Sequence, residues 1–417
     1  MTERPLRIGF LTPEYPTEAF TGGIGSYVRQ MAHALAELGH SSFVLLCGSS
    51  EEGLTWDGPV PIYRIKAAGL APRLPWPLGR GPSLLFARAL ARVASELDLD
   101  LLEAPEWGGL TAFLNLIKPQ KLRVVVRLHT CSAIIRNVNK SHPASMRERL
   151  DCRERDWAEK RSILTADAVT AVSKAIGEET KKALRLPRAD FEVVPNSVND
   201  SAFTPAGNRE EAGNPVVLFI GRLEWRKGPD LLIRAMQAVL KGHPDLLVQL
   251  AGMDTRTGPG NTSMKSHLDS LLPDHARSHV NFCGHLAPPQ LEEVLRRATV
   301  CVFPSRYEGL PMVCLEAMAH GKAIVTTDLP GFCELISDGE NGMIVREEDP
   351  DSLASALEKL LSDDKLRRRL GSAARETARS QFHGAVVAKS MLQVYRAAMT
   401  GAELHGRNGS DTHQGSR

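Results

Sequence analysis

Two glutamates, Glu308 and Glu316, stand with seven residues between them in the stretch Pro304 to Val345, PSRYEGLPMVCLEAMAHGKAIVTTDLPGFCELISDGENGMIV. The short apolar run Ala298 to Phe303 before it is rich in β-branched residues. It reads as a buried parallel strand ended by Pro304, which has no N–H for the ladder. Glu308 then falls in the turn leaving that strand. In MVCLEAMAHG, residues Met312, Leu315, Met318 and Ala319 recur at helical spacing, and Gly321 is placed to end the helix in a left-handed cap. Glu316 lies about one turn into that helix. The first N–H groups of a helix are unpaired and sit at its positive end, so the turn from Glu308 to Met312 is a cradle for a phosphate or pyrophosphate. Pro311 cannot donate, which leaves Gly309, Leu310 and Met312 as the donors. A carboxylate one turn in can reach sugar hydroxyls beside the phosphate. An isolated pair of glutamates at this spacing would be a turn residue and a solvated helix residue, so the context decides.

Other residues supply that context. The apolar run Pro215 to Ile220 reads as a strand, followed by a Gly-Arg turn and a helix starting near Gly228 and Pro229, which leaves Arg222 and Lys227 on the loop at the strand's C-terminal edge. Cations there suit the two charges of a pyrophosphate leaving group, and an Arg can bind two oxygens at once. Strands at Leu246 to Ala251 and His279 to Cys283 end in Gly252 and Gly284, which would leave room for a ribose and base, with the backbone from Gly284 to Leu286 reading the base edge. Nearer the N-terminus, Gly22 and Gly23 precede a helix and would let backbone approach a pyrophosphate, although paired glycines often only turn a chain. The dinucleotide fingerprint G-x-G-x-x-G is absent, because Gly23 and Gly25 are followed by Val28, so an oxidoreductase loses its main support. The strand Leu122 to Leu128 delivers His129 to a sheet edge, and Glu106 and Trp107 stand at the end of the strand Leu99 to Glu103.

The segments PSRYEGLPMVCLEAMAHGKAIVTTD and GFCELISDGENGMIV, with the G-R-L…K-G element around Arg222 and Lys227, resemble the donor-site signature of the retaining nucleotide-sugar glycosyltransferases of family four, which have the GT-B fold. RLHT, ending in His129 and Thr130, resembles the N-domain segment of the same family, as does the Pro195-Asn196 pair. Pro311 is a departure, since many members carry Gly there. The resemblance implies an α/β chain of two Rossmann-like domains facing a central cleft. It implies that Glu308 lies beside the transferred sugar, that Glu316 binds the ribose hydroxyls, that Gly23 contacts the donor phosphate, and that His129 positions the sugar and stabilises charge. Arg222 and Lys227 would then stabilise the leaving pyrophosphate. The implied activity is transfer of a hexose from a nucleoside diphosphate to an acceptor hydroxyl with retention. The acceptor would be a glycan, a lipid-linked glycan or a small molecule. No D-x-D pair stands in a suitable position, so no metal is expected, and the implied transfer calls for no cofactor. A sugar-nucleotide epimerase or an α-glucan phosphorylase is a rival enzyme of related architecture. A non-catalytic nucleotide-sugar binding protein or membrane-surface scaffold of the same fold is the rival outside catalysis.

The elements that must position these residues follow from the rest of the chain. Its 417 residues, 42% apolar, can bury two cores. Residues 1–200 read as an acceptor-side Rossmann-like domain and 201–214, rich in Pro, Gly and Asn, as a linker. Residues 215–384 read as the donor-binding domain, 385–400 as a helix that the resemblance sends back to the first domain, and 401–417 as a disordered polar tail. The first β-α-β unit runs from Leu6 to Cys47, with Val28, Met31, Leu35 and Leu38 on one helix face. Gly69 to Pro82 is a loop in which Leu74 and Trp76 could meet an apolar acceptor or pack on the domain.

With 51 basic and 49 acidic residues the net charge is +2, which gives no argument for nucleic-acid binding. Lys118 to Arg161 is a local exception, with twelve Lys and Arg against five Asp and Glu. A helix beginning near Pro143 would present much of that charge, either as a solvated face or as a surface for peripheral contact with an anionic membrane or a phosphate-bearing acceptor. Seven cysteines without C-x-x-C pairs, several of them in apolar runs, read as buried free thiols in a reducing compartment, the cytoplasm. No run approaches the length of a membrane span, and the N-terminus is too short in apolar residues for a secretory signal.

Overall fold

The computed structural model of the chain describes residues 4–17, 22–49, 51–66, 84–139, 145–186, 189–198, 200–203 and 213–402. The expectations for the loop holding Leu74 and Trp76, for linker residues 204–212 and for the tail from 403 lie outside them.

The first half of the chain runs β1 (Arg7–Thr12), α1 (Gly23–Glu37), β2 (Ser41–Ser49), β3 (Gly53–Asp57), β4 (Val60–Lys66), α2 (Leu84–Glu96), β5 (Leu101–Pro105), β6 (Arg123–Leu128), α3 (Ser132–Val138), α4 (Met146–Leu164), β7 (Ala168–Ala171), α5 (Lys174–Leu184) and β8 (Glu192–Val193). Its strands form one sheet in the order β3-β4-β2-β1-β5-β6-β7-β8, parallel except for the β3–β4 hairpin. The second half runs β9 (Val216–Ile220), α6 (Pro229–Gly242), β10 (Leu247–Ala251), α7 (Met264–Leu271), α8 (Asp274–Arg277), β11 (Val280–Gly284), α9 (Pro288–Arg297), β12 (Val300–Phe303), α10 (Met312–Ala319), β13 (Ala323–Thr327), α11 (Pro330–Cys333), β14 (Met343–Val345), α12 (Pro350–Ser362), α13 (Asp364–Gln381) and α14 (Gly384–Thr400). Its sheet is β11-β10-β9-β12-β13-β14, parallel throughout.

The central strands are apolar along their whole length because helices cover both faces of each sheet: VVLFI in β9 and VCVF in β12 are buried at every position. In each sheet the strand order reverses next to the first strand, with β1 between β2 and β5 and β9 between β10 and β12. Crevices outside the C-terminal ends of strands at such reversals are where open α/β sheets bind ligands. The fold is GT-B: two parallel-sheet Rossmann-like halves, each with one such edge.

The last helix, α14, leaves the second half and packs on the first. Met391, Leu392 and Tyr395 join Tyr27, Met31 and Val125 in one buried cluster. At its centre the buried Glu103 carboxylate accepts from Tyr27 Oη at 2.8 Å and Tyr395 Oη at 2.5 Å. The fully buried Arg127 donates to the carbonyls of Val194 at 2.8 Å and Pro195 at 3.0 Å and lies 4.1 Å over the Tyr27 ring.

Arg127 therefore belongs to the core and not to a basic surface. Within the same segment Lys118 pairs with Asp167, Lys121 with Asp98 and Arg136 with Asp156. Among the described residues the exposed excess is concentrated in the first half of α4, where Arg147, Arg149, Arg153 and Arg155 are all exposed. That helix starts at Met146, capped by Ser145 with Glu148 in a capping box; Pro143 lies outside the described residues. No helix among the described residues is long and apolar enough to cross a membrane.

Candidate functional site

The two turns at the β9 and β12 ends of the second sheet touch. A Cβ on Gly228, whose φ is +64°, would lie 1.9 Å from the Pro304 carbonyl oxygen, so only glycine lets the turns meet. Arg306 clamps them. Its guanidinium bonds both oxygens of Asp230, at 2.7 and 2.8 Å, donates to the Trp225 carbonyl at 2.8 Å and stacks 3.6 Å over the Trp225 ring. The clamp brings Lys227, in a 3-10 turn at Trp225–Lys227, onto Glu308.

Glu308 is buried. One oxygen accepts from Lys227 Nζ and, at 3.0 Å, from Ser305 Oγ, while the other faces Arg226 at 3.6 Å. Burial pushes its carboxyl up, but Lys227 and Arg226 outweigh burial and hold it below its ordinary value. Burial draws the Lys227 ammonium down, against the pull of Glu308. Arg226, which sequence reasoning passed over, also pairs with Glu224 at 2.6 Å and donates to the Tyr307 carbonyl at 3.2 Å. Arg222 shares Glu224 at 3.3 Å and is half-exposed.

The chain enters α10 through Gly309, Leu310 and Pro311. All three are buried, yet the N–H groups of Gly309, Leu310 and Met312 have no hydrogen-bond acceptor among the described residues. Donors left without a partner at the start of a helix suit an acceptor from outside the chain. One turn on, the Glu316 carboxylate has no partner among the described residues, and burial alone raises its pKa to about 7. A desolvated carboxyl of this kind would gain from hydroxyl donors.

Across from α10 lies the N-terminus of α1. A Cβ on Gly23 would be 4.0 Å from Met312 Cγ, so the two helix starts face each other over the gap between the sheets. Gly22 is fixed by a different neighbour: a Cβ there would meet a Glu14 carboxylate oxygen at 2.7 Å, and that same oxygen accepts from the Gly25 N–H at 3.0 Å. The anion-binding end of α1 thus already carries a carboxylate.

His129 sits at the end of β6. Its carbonyl oxygen would be 3.1 Å from a Cβ on Gly309, its ring meets Tyr27 edge-on at 5.4 Å, and neither ring nitrogen has a hydrogen-bond partner among the described residues. Burial, with Arg127 adding to it, drives its pKa well below the ordinary value, so the imidazole is neutral. The His129 backbone N–H donates to both oxygens of the buried Glu106 at 2.9 Å. Burial chiefly, and secondarily the neighbouring Glu159, push Glu106 up to about 8. Glu159 reaches in from α4 to take the Gly108 N–H at 3.0 Å and the Ser132 N–H at 3.0 Å.

The structure therefore brings together Gly23, His129, Lys227, Glu308, Gly309, Leu310, Met312 and Glu316, with Arg222 at the same strand edges. Gly252 is placed differently from expectation. A Cβ there would lie 1.8 Å from the Gly221 carbonyl, so its missing side chain admits that backbone. At Gly284, with φ of +67°, nothing lies within 4 Å of a Cβ, and the half-buried Leu286 follows on the way into α9. No group of three or more His, Cys, Asp or Glu side chains that could hold a metal occurs among the described residues. The seven cysteines are free thiols, four of them buried.

Two family models match. The one described as Glycosyltransferase Family 4 covers residues 21–202, and the one described as Glycosyl transferases group 1 covers residues 200–377. A glycogen synthase of Mycobacterium tuberculosis is 27% identical over 416 residues, spanning 95% of this chain and 96% of its own. Among solved structures, a sucrose-phosphate synthase from Thermosynechococcus elongatus superposes with a TM-score of 0.73 at 24% identity, over 95% of this chain and all of that one. Anabaena HepE, solved in complex with UDP-glucose, does so with a TM-score of 0.68 at 18% identity, over 94% of this chain and all of that one.

Proposed function

Because the chain belongs to the family-four glycosyltransferases of GT-B fold, we propose that it moves a hexose from a nucleoside-diphosphate donor to an acceptor hydroxyl with retention at the anomeric carbon. The observation that carries the reading is the turn from Glu308 to Met312, where, among the described residues, three N–H groups without an acceptor are flanked by Lys227 on one side and the Glu316 carboxylate, itself without a partner, on the other. A pyrophosphate seated there receives the N–H groups at the positive end of α10, and the ribose beside it offers its hydroxyls to Glu316.

Charge grows on the leaving phosphate toward the transition state, so donors already fixed in place stabilise it most. Lys227 has three N–H donors and can keep Glu308 while giving another to a phosphate oxygen; Arg222 brings a half-exposed guanidinium to the same strand edge. Glu308, held ionised by its two cations, lies beside the transferred sugar, and the neutral His129 ring serves a sugar hydroxyl from the other sheet. These cations do the work of a metal, so none is required. HepE was solved with UDP-glucose, which supports a nucleotide-sugar donor here; the acceptor is a glycan, a lipid-linked glycan or a small molecule.

The reaction takes place in the cytoplasm. Peripheral contact with its membrane is supported by α4, where Met146, Leu150 and Trp157 are 71%, 51% and 38% exposed on one helix face, beside Arg149 and Arg153. The proposed activity is tested with purified protein and a panel of UDP-, GDP-, ADP- and dTDP-sugars, following release of the nucleoside diphosphate with and without candidate acceptors. Acceptor-dependent release from one donor is expected. Tight donor binding without any turnover would leave a nucleotide-sugar binding protein in its place.

A further inference from the structure

The Pro195-Asn196 pair follows the last strand of the first sheet and has no part in the chemistry described so far. We propose that Asn196 is a positioning residue for the donor turn, tying Arg127 in the core of one sheet to the Leu310 carbonyl in the turn before α10. This rests on the reading of that turn as the donor phosphate cradle.

Asn196 is 4% exposed. Its Oδ1 accepts from Arg127 Nη2 at 3.3 Å, and its Nδ2 donates to the Leu310 carbonyl at 3.0 Å. A guanidinium can only donate and a carbonyl can only accept, so the two partners fix which end of the carboxamide faces which. Arg127 cannot shift to follow a moving Asn196. The same Nη2 holds the Val194 and Pro195 carbonyls, and the guanidinium is stacked on Tyr27. The position of the amide is thus set by the first sheet and delivered to the second.

The Leu310–Pro311 peptide is the one that needs such control. Pro311 has no N–H, so the only polar atom of that peptide is an acceptor, set within a turn that otherwise supplies donors. Turned toward a bound pyrophosphate, the Leu310 oxygen would repel it. Held by Asn196, it leaves the N–H groups of Gly309, Leu310 and Met312 as the polar groups available to the ligand. Gly309, next to that peptide, is confined by close contacts: a Cβ on Gly309 would lie 2.9 Å from Ile176 and 3.1 Å from the His129 carbonyl, and one on Gly331 would lie 2.3 Å from the Gly309 carbonyl. Asn196 is the polar tie that selects the peptide's orientation within that confinement.

Asn196→Asp separates this role from a merely structural one. The new side chain has the same size and still accepts from Arg127, but when ionised it cannot donate to Leu310 and sets a charged oxygen against the carbonyl. Asn196→Ala removes both bonds, and Ser197→Ala next to it is the control. Calorimetry with UDP, GDP, ADP and dTDP identifies the diphosphate that the parent binds. Steady-state kinetics with donor and acceptor varied in turn, and thermal melting, are then run on all four proteins. Both Asn196 variants are expected to raise the diphosphate Kd and the donor KM roughly tenfold, the effect of one lost hydrogen bond, with the acceptor KM and the Ser197→Ala values unchanged. Asn196→Asp alone should recover donor affinity as the pH is lowered and its carboxyl becomes a donor. Parental diphosphate affinity in both variants, or donor and acceptor KM rising together in step with a lower Tm, would overturn the proposal. A parent that binds none of the four diphosphates would instead overturn the reading of the turn itself.

Discussion

Replacing Glu316 by Gln is expected to stabilise the empty protein and weaken the donor, two effects of opposite sign from one carboxyl. In the folded chain burial raises this group from 4.5 to about 7. Below the unfolded value it is protonated in both states and contributes nothing to the difference. As the pH rises through the folded value the unfolded state loses its proton first, and folding becomes less favourable by up to about 3 kcal/mol above pH 7. The neutral Gln carries no such cost, so urea unfolding should find the variant more stable than the parent at pH 8 and equal to it near pH 4.5. Ribose hydroxyls that donate to the carboxylate favour its ionised form, which lowers its pKa on binding. The parent should therefore bind its nucleoside diphosphate more tightly as the pH rises toward 7 and release a proton when it binds at pH 6.5. A hydrogen bond to a charged group is worth about 1.5–3 kcal/mol, so Glu316→Gln should weaken the diphosphate by roughly 10- to 150-fold. Calorimetry at pH 6.5 in two buffers of different ionisation enthalpy reads affinity and proton release together. Equal Kd values, or no proton released by the parent, would refute the assignment of Glu316 to the ribose.

Lys227→Ala and Arg222→Ala should each lower kcat far more than they change the acceptor KM, because the charge they meet grows toward the transition state; parental turnover would remove them from the mechanism. Activity should be complete in excess chelator, and activity that is lost there and restored by Mg²⁺ or Mn²⁺ would contradict the metal-free reading. The parent should sediment with anionic vesicles at low salt and less at high salt, at about 1 kcal/mol per cation near the surface, and a variant with Arg147, Arg149, Arg153 and Arg155 changed to Gln should not. Binding indifferent to lipid charge and to these four changes would leave α4 as a solvated helix.

The turn from Glu308 to Met312 was legible in the sequence because its punctuation is local: Pro304 ends the strand, Gly309 and Pro311 make the turn, and Gly321, at φ of +67°, ends the helix. The same holds for the Ser173 cap on α5, whose hydroxyl takes the Ile176 N–H. What stayed hidden depends on contacts distant in sequence. Arg127 read as one cation among twelve, since nothing nearby announces that Tyr27 and the Val194 and Pro195 carbonyls will enclose it. Arg226 reaches Glu308 only because Arg306 clamps two turns together. Gly252 read as space for a ligand, whereas its missing side chain admits the end of the neighbouring strand. The β3–β4 hairpin did carry a local signal in Asp57-Gly58, with Gly58 at φ of +57° before an apolar strand.

Retaining transfer with Lys227 in the place of a metal can be followed through the anomeric protons of donor and product by NMR, in chelator, with the wild-type protein and the donor and acceptor that a screen supplies. Donor consumption that stops in Lys227→Ala and a product with the anomeric configuration of the donor are expected. A first-formed product of opposite configuration, or transfer undiminished by loss of Lys227, would contradict that mechanism.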